Sequence, residues 1–341
     1  MKKVILSAAL WVLVANLAST AASAQATLAS VKQKGFLTCG AHDTGFPGFG
    51  TRDPQGNWIG FDVDFCRAVV AANFRDPTKV RFMPLTAKDR FTAVQSGEVD
   101  VLARNTTATV SRETQLGLDF PAITYYDGQG FMVRKALGVS SAKDRSGKSI
   151  CADKGTTTEL NLADYFRANN MRYEAVSFAT SDEAKKAYDA GRCDAFTTDI
   201  SSLHAARLQL SNSDDHVILP EVISKEPLGP AVRHGDNQWG DVVKLVHTAM
   251  LDAEELGITR ANVDEMKNSG NPEVRRLLGV EGKFGDAIGL SNDWAYWIIK
   301  HVGNYGESFE RNVGEGSQLK IKRGQNALWT KGGLQYGIPV R

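Results

Sequence analysis

The chain carries no surplus of charge, since 40 basic residues face 39 acidic ones. Nothing in that balance points to nucleic acid as a partner. It has no Cys-x-x-Cys pair and no paired-histidine spacing, so the usual signature of a metal centre is missing. No pairing of a nucleophile with a histidine stands out either, and nothing in the sequence calls for a cofactor. Beyond the first eighteen residues, no stretch approaches the ~20 consecutive apolar residues that a membrane-spanning helix needs. What remains is 341 residues, 42% hydrophobic and 23% charged, an ordinary globular composition with room for two domains.

The first residues read differently from the rest. Lys2 and Lys3 precede an apolar run from Val4 to Ala18, and Ala22-Ser23-Ala24 has the small-x-small form of a secretory cleavage site. A leader over residues 1–24 is expected, with Gln25 as the mature start. No cysteine lies near that point, which argues against a lipid anchor. Export gives meaning to Cys39, Cys66, Cys151 and Cys193, an even number in an oxidising compartment that permits three connectivities. Pairing Cys39 with Cys66 and Cys151 with Cys193 is expected, because each bond then stays within one half and leaves the halves free to move. Four buried thiols are the alternative.

From Phe36 the chain alternates short apolar runs with helical periods. Phe36 to Gly40 reads as a first strand, and a loop rich in glycine and aromatics follows from Gly45 to Gly60. Phe65, Ala68, Val69 and Ala72 then recur at helical spacing behind an acidic start. Val80 to Met83 is a second strand, Asp89 to Ser96 a helix stopped by Gly97, and Val99 to Leu102 a third strand. Such alternation predicts a parallel sheet with right-handed crossovers. The pattern then repeats weakly, with Gly97-Glu98-Val99-Asp100 echoed by Gly191-Arg192-Cys193-Asp194. Lys148 to Ala152 is another first strand, emptying into Gly155-Thr156-Thr157-Thr158-Glu159, where Thr156 and Glu159 have capping-box spacing. Two open α/β units are therefore expected to face each other, each offering polar groups at its strand ends. Met132–Lys135 leads in and Ala231–His234 leads out, the positions of a natural hinge pair. This places residues 25–134 plus 232–341 in a first lobe and 135–231 in a second.

The organising stretch is Thr107-Ala108-Thr109-Val110-Ser111-Arg112. A strand end offering hydroxyls, followed by an arginine three residues after a helix-capping threonine, is a receptor for a small carboxylate. Arg112 is the candidate clamp, because a guanidinium meets a carboxylate with two parallel hydrogen bonds. A solvated surface arginine is the competing reading of the same spacing.

Taken in order, Gly60-Phe61-Asp62-Val63-Asp64, Gln95-Ser96-Gly97-Glu98-Val99-Asp100, Thr107-x-Thr109-x-x-Arg112, Gly155-Thr156-Thr157 and Gly191-Arg192-x-Asp194-Ala195 to Asp199 resemble the polar amino-acid-binding proteins of bacterial ATP-binding-cassette importers. Asn292–Tyr296, Gly303–Glu307 and Gly332–Tyr336 are similar to the general L-amino-acid-binding branch of that family. The resemblance implies a periplasmic binding protein of type II, a Venus flytrap of two open-sheet α/β lobes joined by a two-strand hinge, here with a C-terminal extension. It also implies a periplasmic, monomeric protein that captures L-amino acids of several kinds, polar, acidic and amide side chains foremost. The partner would be an inner-membrane permease with its cytoplasmic ATPase. Carried over by residue, Arg112, Thr107 and an N–H around Thr157 would hold the ligand carboxylate, with Thr158 beside them. Asp199, the Thr107 hydroxyl and the Asn105 carbonyl would hold the ammonium. Either Phe46 or Phe49 would set a ring against the ligand, with Gly48 between them opening space, and Arg90 and His42 would meet an acidic side chain. An exported enzyme processing small acids, or a receptor module feeding a sensor, is the rival class.

Overall fold

The computed structural model describes residues 27–43 and 45–341; the expected leader lies outside them. The first part runs through α1 (Thr27–Lys34), β1 (Leu37–His42), the hairpin β2 (Thr51–Arg52) and β3 (Trp58–Ile59), α2 (Phe61–Phe74), β4 (Val80–Leu85), α3 (Arg90–Ser96), β5 (Val101–Leu102), α4 (Val110–Thr114) and β6 (Leu118–Asp119). Strands β4, β1 and β5 form a parallel sheet in that order. The predicted apolar face of α2 is fully covered at Ala68 and Val69. Its start is fixed by Gly60 at φ 136, where an added Cβ would lie 2.2 Å from the Phe49 carbonyl oxygen.

The second part comprises β7 (Tyr125–Arg134), β8 (Lys148–Asp153), α5 (Thr157–Ala168), β9 (Tyr173–Phe178), α6 (Ser181–Asp189), β10 (Ala195–Asp199), α7 (Ile200–Arg207), β11 (His216–Ile218) and β12 (Lys225–Leu228). Its six strands run β11-β7-β10-β8-β9, with β12 also on β7. Here the expectation of a parallel sheet needs correction. Strands β8, β9 and β10 are parallel, but β7 runs antiparallel to β10, β11 and β12. The internal echo has a structural counterpart. Asp100 accepts from the Thr38 N–H at 2.7 Å and Asp194 from the Ser149 N–H at 3.0 Å, each tying the start of its sheet.

The crossing between lobes lies earlier than the expected joins. Phe131, Met132 and Val133 are fully buried in the apolar clusters of the second sheet, so they belong to that lobe rather than to a linker. Tyr125–Gly128 of β7 goes out beside Lys225–Leu228 of β12 coming back. The chain then returns to the first lobe, where β13 (Val232–Arg233) pairs with β6.

The remaining chain forms α8 (Asn237–Glu255), α9 (Val263–Met266), α10 (Pro272–Leu277), α11 (Phe284–Ala287), α12 (Trp294–His301) and α13 (Tyr305–Asn312), then an irregular tail. Trp239, Trp294, Tyr305, Phe309, Leu319 and Leu328 share one apolar cluster with α2 and β1, so the extension completes the first lobe. Trp294, Tyr296, Tyr305 and Phe309 are buried in that cluster and are packing residues, while Trp329 and Tyr336 are exposed. Among the described residues, no helix is long and apolar enough to cross a membrane.

Cys39 of β1 is bonded to Cys66 of α2, and Cys151 of β8 to Cys193 before β10, the expected pairing. The bonds span 27 and 42 residues of sequence, loops for which chain entropy gives about 3 to 4 kcal/mol each. Replacing Cys151 and Cys193 together by alanine is expected to lower unfolding free energy by about 2 to 4 kcal/mol, read from the urea midpoint under oxidising conditions. Reductant should then produce a further fall only through the Cys39–Cys66 bond.

Candidate functional site

A cleft between the two sheets encloses about 690 Å3 including its open mouth, within the ordinary range for a small-molecule site. The lobes meet across it, since Ala205 of α7 is fully buried in the same apolar cluster as Phe46. The first lobe contributes His42, Phe46, Arg90, Arg104, Asn105 and Thr107 to the wall. The second contributes Asp153, Thr157, Thr158, Lys185, Asp199 and Gln209.

Arg112 stands directly behind that wall. Thr109 caps α4 as the sequence suggests, its Oγ1 accepting from the Arg112 N–H at 3.2 Å. The Arg112 guanidinium donates from Nη1 to the Thr107 carbonyl at 2.6 Å and lies 4.8 Å from the Phe91 ring centre. Burial lowers its pKa to about 10, against the pull of Glu226 and Asp199, so it stays cationic at neutral pH. Thr107 and Thr157 bring their hydroxyl oxygens within 3.4 Å of each other from opposite lobes. Thr156 caps α5, but Glu159 accepts from the Gly155 N–H at 3.1 Å rather than from the cap residue, so the capping box is not closed.

Asn105 holds a left-handed backbone at φ 32. The Asp62 carboxylate fixes it by accepting from its N–H at 2.8 Å. The Asn105 side-chain amide reaches Asp199 at 3.4 Å. Burial and the neighbouring Asp127 and Glu226 carboxylates push the Asp199 pKa well above the ordinary range, while Arg90 and the Asn105 hydrogen bond oppose them. Asp127 itself is raised to about 6, mainly by burial. A cation placed beside Asp199 would relieve this crowding.

Arg90 is buried, donates from Nη1 to Thr106 Oγ1 at 3.2 Å, and leaves its Nε without a partner among the described residues. Burial first, then repulsion from Arg104 and Arg112, holds its pKa well below normal. His42 lines the same region, and burial followed by Arg104, Arg90 and Lys185 pushes its pKa down, keeping the ring neutral. Its Nδ1 has no hydrogen-bond partner among the described residues, although Asp43 Oδ1 is 3.3 Å away.

The two phenylalanines separate. Phe46 lines the cleft, whereas Phe49 is 1% exposed and stacks behind it at 4.8 Å, edge-on to Tyr125 at 5.2 Å. Phe49 is core. Gly48 does not open the pocket either. It sits at φ +84, where a Cβ would meet Leu319 Cδ1 at 2.3 Å, so backbone conformation and the tail above it require glycine there.

Sequence reasoning missed Glu226, which is 1% exposed. Its carboxylate accepts from Thr107 Oγ1 at 2.7 Å, Thr157 Oγ1 at 3.0 Å, Ser224 Oγ at 2.7 Å and Asn161 Nδ2 at 2.6 Å. A glutamate beside proline in an extended return strand was its one signal. Sequence reasoning also missed Lys185, which pairs with Asp182 at 3.1 Å and donates to Gln209 Oε1 at 2.7 Å. Arg104, which donates to the Leu85 carbonyl at 2.7 Å and to Asp43 at 3.3 Å, carried no spacing signal.

A cleft between two α/β lobes joined by paired strands, lined by buried charges of both signs, defines a solute-binding protein of the two-lobed periplasmic type. Residues 37–271 match the model for bacterial extracellular solute-binding proteins, family 3, and the chain belongs to that family. It is 61% identical over 343 residues, covering both chains completely, to the general L-amino acid-binding periplasmic protein AapJ of Rhizobium johnstonii. It is 55% identical over 331 residues, 97% of each chain, to the glutamate/glutamine/aspartate/asparagine-binding protein BztA of Rhodobacter capsulatus. Among solved structures, an ABC transporter periplasmic binding protein from Brucella ovis with glutathione bound superposes with a TM-score of 0.91 at 64% identity, over 92% of this chain and 99% of that one.

Proposed function

We propose that the protein captures free L-amino acids in the periplasm, acidic and amide ones foremost, and presents them to the permease of an ABC importer. The observation that carries this reading is a charge count. Among the described residues, buried Arg90 and Arg112 have no carboxylate within salt-bridge distance. Of the buried carboxylates at the cleft that lack such a cation, Glu226 accepts from four side chains and Asp153 from Ser181, while Asp199 has only the Asn105 amide at 3.4 Å. A buried charge needs an opposite charge and hydrogen bonds. Two guanidiniums and one carboxylate around one cleft complement the two carboxylates and the ammonium of glutamate or aspartate. Arg112, Thr107 and the Thr157 segment would take the α-carboxylate, Asp199 and the Asn105 carbonyl the ammonium, and Arg90 the side chain. The first lobe, residues up to Tyr125–Gly128 and from Lys225–Leu228 onward, would dock the ligand, and the second would close over it. The names of AapJ and BztA support this ligand class, and the periplasmic relatives support the compartment.

The test is calorimetric titration of ligand-stripped protein with the twenty L-amino acids, with D-isomers as controls. Arg90→Ala is expected to weaken glutamate and aspartate by about 1.5 to 3 kcal/mol, or about 10- to 150-fold, and to leave alanine within a few-fold. Equal losses for alanine and glutamate would remove Arg90 from the side-chain site. A second ligand class is favoured by the glutathione in the Brucella ovis relative. The cleft continues past Arg90 to Lys185, Gln209 and Ser181 on the second lobe, so a γ-glutamyl peptide could use the same zwitterion site and extend its second carboxylate toward Lys185. Titration with glutathione against Lys185→Ala separates the two classes, since free glutamate should be little affected.

A further inference from the structure

The tail beyond α13 has no assigned role, yet its contacts converge on the strand that crosses between lobes. The helix it follows, α13, is held to the first lobe: buried Asp64 of α2 accepts from Ser308 Oγ at 2.9 Å, Arg311 Nη2 at 2.6 Å and Asn312 Nδ2 at 2.6 Å. Arg323 pairs with Glu254 of α8 at 3.1 Å, and Leu328 is 1% exposed in the first-lobe cluster. From this base Asn326, itself buried, turns its amide onto one residue. Its Oδ1 accepts from the Tyr126 N–H at 2.7 Å, and its Nδ2 donates to the Tyr126 carbonyl at 3.0 Å. One residue group earlier, the Thr124 carbonyl accepts from Tyr305 Oη at 2.9 Å and Gln335 Nε2 at 3.2 Å.

Strand chemistry explains why these amides sit there. Tyr126 lies opposite Pro227 of β12, whose carbonyl accepts from the Ala108 N–H on the far side, so this is a non-hydrogen-bonded pair and Tyr126 turns its own backbone groups away from β12. Pairing of β7 with β10 begins only at Gln129, so no strand flanks that side of β7 at Tyr126. Its backbone groups would be left unpaired, and the Asn326 amide supplies both a donor and an acceptor, as a neighbouring strand would. Upstream of Tyr126 the strand is therefore fixed to the first lobe, and from Gln129 it is fixed to the second sheet. Between them lie Asp127 and Gly128.

We propose that the C-terminal extension is a hinge brace, in which Asn326 pins Tyr126 to the first lobe and confines bending of the outgoing strand to Asp127 and Gly128. This rests on the reading that the lobes open and close around a ligand. Asn326 is a positioning residue: it touches no ligand and acts through the hinge. Because closure supplies part of the affinity, loosening the hinge changes binding of every ligand by one common factor.

The experiment compares the full chain with Asn326→Ala, Asn326→Asp and the exposed control Gln325→Ala. Each is titrated with L-glutamate and L-alanine by calorimetry, and lobe separation is followed by small-angle scattering with and without L-glutamate. Thermal unfolding is measured alongside. Asn326→Ala, which removes both hydrogen bonds to Tyr126, is expected to raise both dissociation constants by the same roughly tenfold factor, since only part of their worth enters the open–closed equilibrium, and to broaden the ligand-free lobe separation. Asn326→Asp keeps the acceptor for the Tyr126 N–H and loses the donor, so it should fall between; it also serves if the alanine variant does not fold. A lowered melting temperature with dissociation constants and closure within twofold of the parent would overturn the brace while leaving amino-acid capture standing. A parent protein that binds and closes on neither ligand would remove the capture reading, and the brace with it.

Discussion

Arg112→Ala is expected to weaken every amino acid that the protein binds by about 2 to 5 kcal/mol, roughly 30- to several-thousand-fold in dissociation constant. The size follows from what the truncation leaves behind, a ligand carboxylate sealed in the cleft with no cation beside it. The loss should be common to all ligands, because the α-carboxylate is common to them; that separates Arg112 from Arg90, whose loss is selective. Arg112→Lys keeps the charge but not the paired N–H geometry, so it should recover only part of the affinity. The Thr107 carbonyl, which accepts from Arg112 at 2.6 Å, would also lose its donor in the alanine variant. Calorimetry with unchanged affinity for glutamate and alanine alike would remove Arg112 from the site.

Asp199→Ala is expected to cost a similar 2 to 5 kcal/mol, about 30- to several-thousand-fold, again for all ligands. The carboxyl also predicts a pH dependence whose sign can be worked out. In the empty site its pKa is raised by burial and by the Asp127 and Glu226 carboxylates. A ligand ammonium favours the ionised form and lowers that pKa. Affinity is therefore full above the empty-site value and falls as pH drops through it, with proton release on binding in that window. The decline should begin above the usual carboxylate range near ~4. Asp199→Asn should flatten the profile, measured as dissociation constant against pH together with the protons released in buffers of different ionisation enthalpy. A parent profile that stays flat through mildly acidic pH would separate Asp199 from the ammonium.

Much of the cleft's lining could be read from the chain, where His42, Phe46, Arg90, Asn105, Thr107, Thr157, Thr158 and Asp199 meet, because local signals coincided with it. Thr109 and Arg112 carry a cap-plus-cation spacing, and Asp199 ends a strand whose glycine and aspartate echo an earlier one. Cys39, Cys66, Cys151 and Cys193 pair as expected because each half holds one pair. Where reading failed, the missing information was three-dimensional. The apolar run of β7 is equally consistent with a parallel or an antiparallel neighbour, so the mixed sheet and the earlier crossing at Tyr125–Gly128 were not visible. Phe46 and Phe49 are both aromatic and three residues apart, and only the stack at 4.8 Å decides which ring faces the cleft. Gly48 looked like space for a ligand because a glycine between two rings does not reveal its φ. Glu226 sits more than a hundred residues from Thr107, and no spacing rule joins a return strand to an outgoing one.

Both disulfides join cysteines that are neighbours in order of appearance, 39 with 66 and 151 with 193. An oxidant that links each thiol to the next one emerging during translocation would thus make the correct covalent framework at first attempt. Synthesis in an exporting host should then depend on a thiol oxidase and be indifferent to loss of a disulfide isomerase.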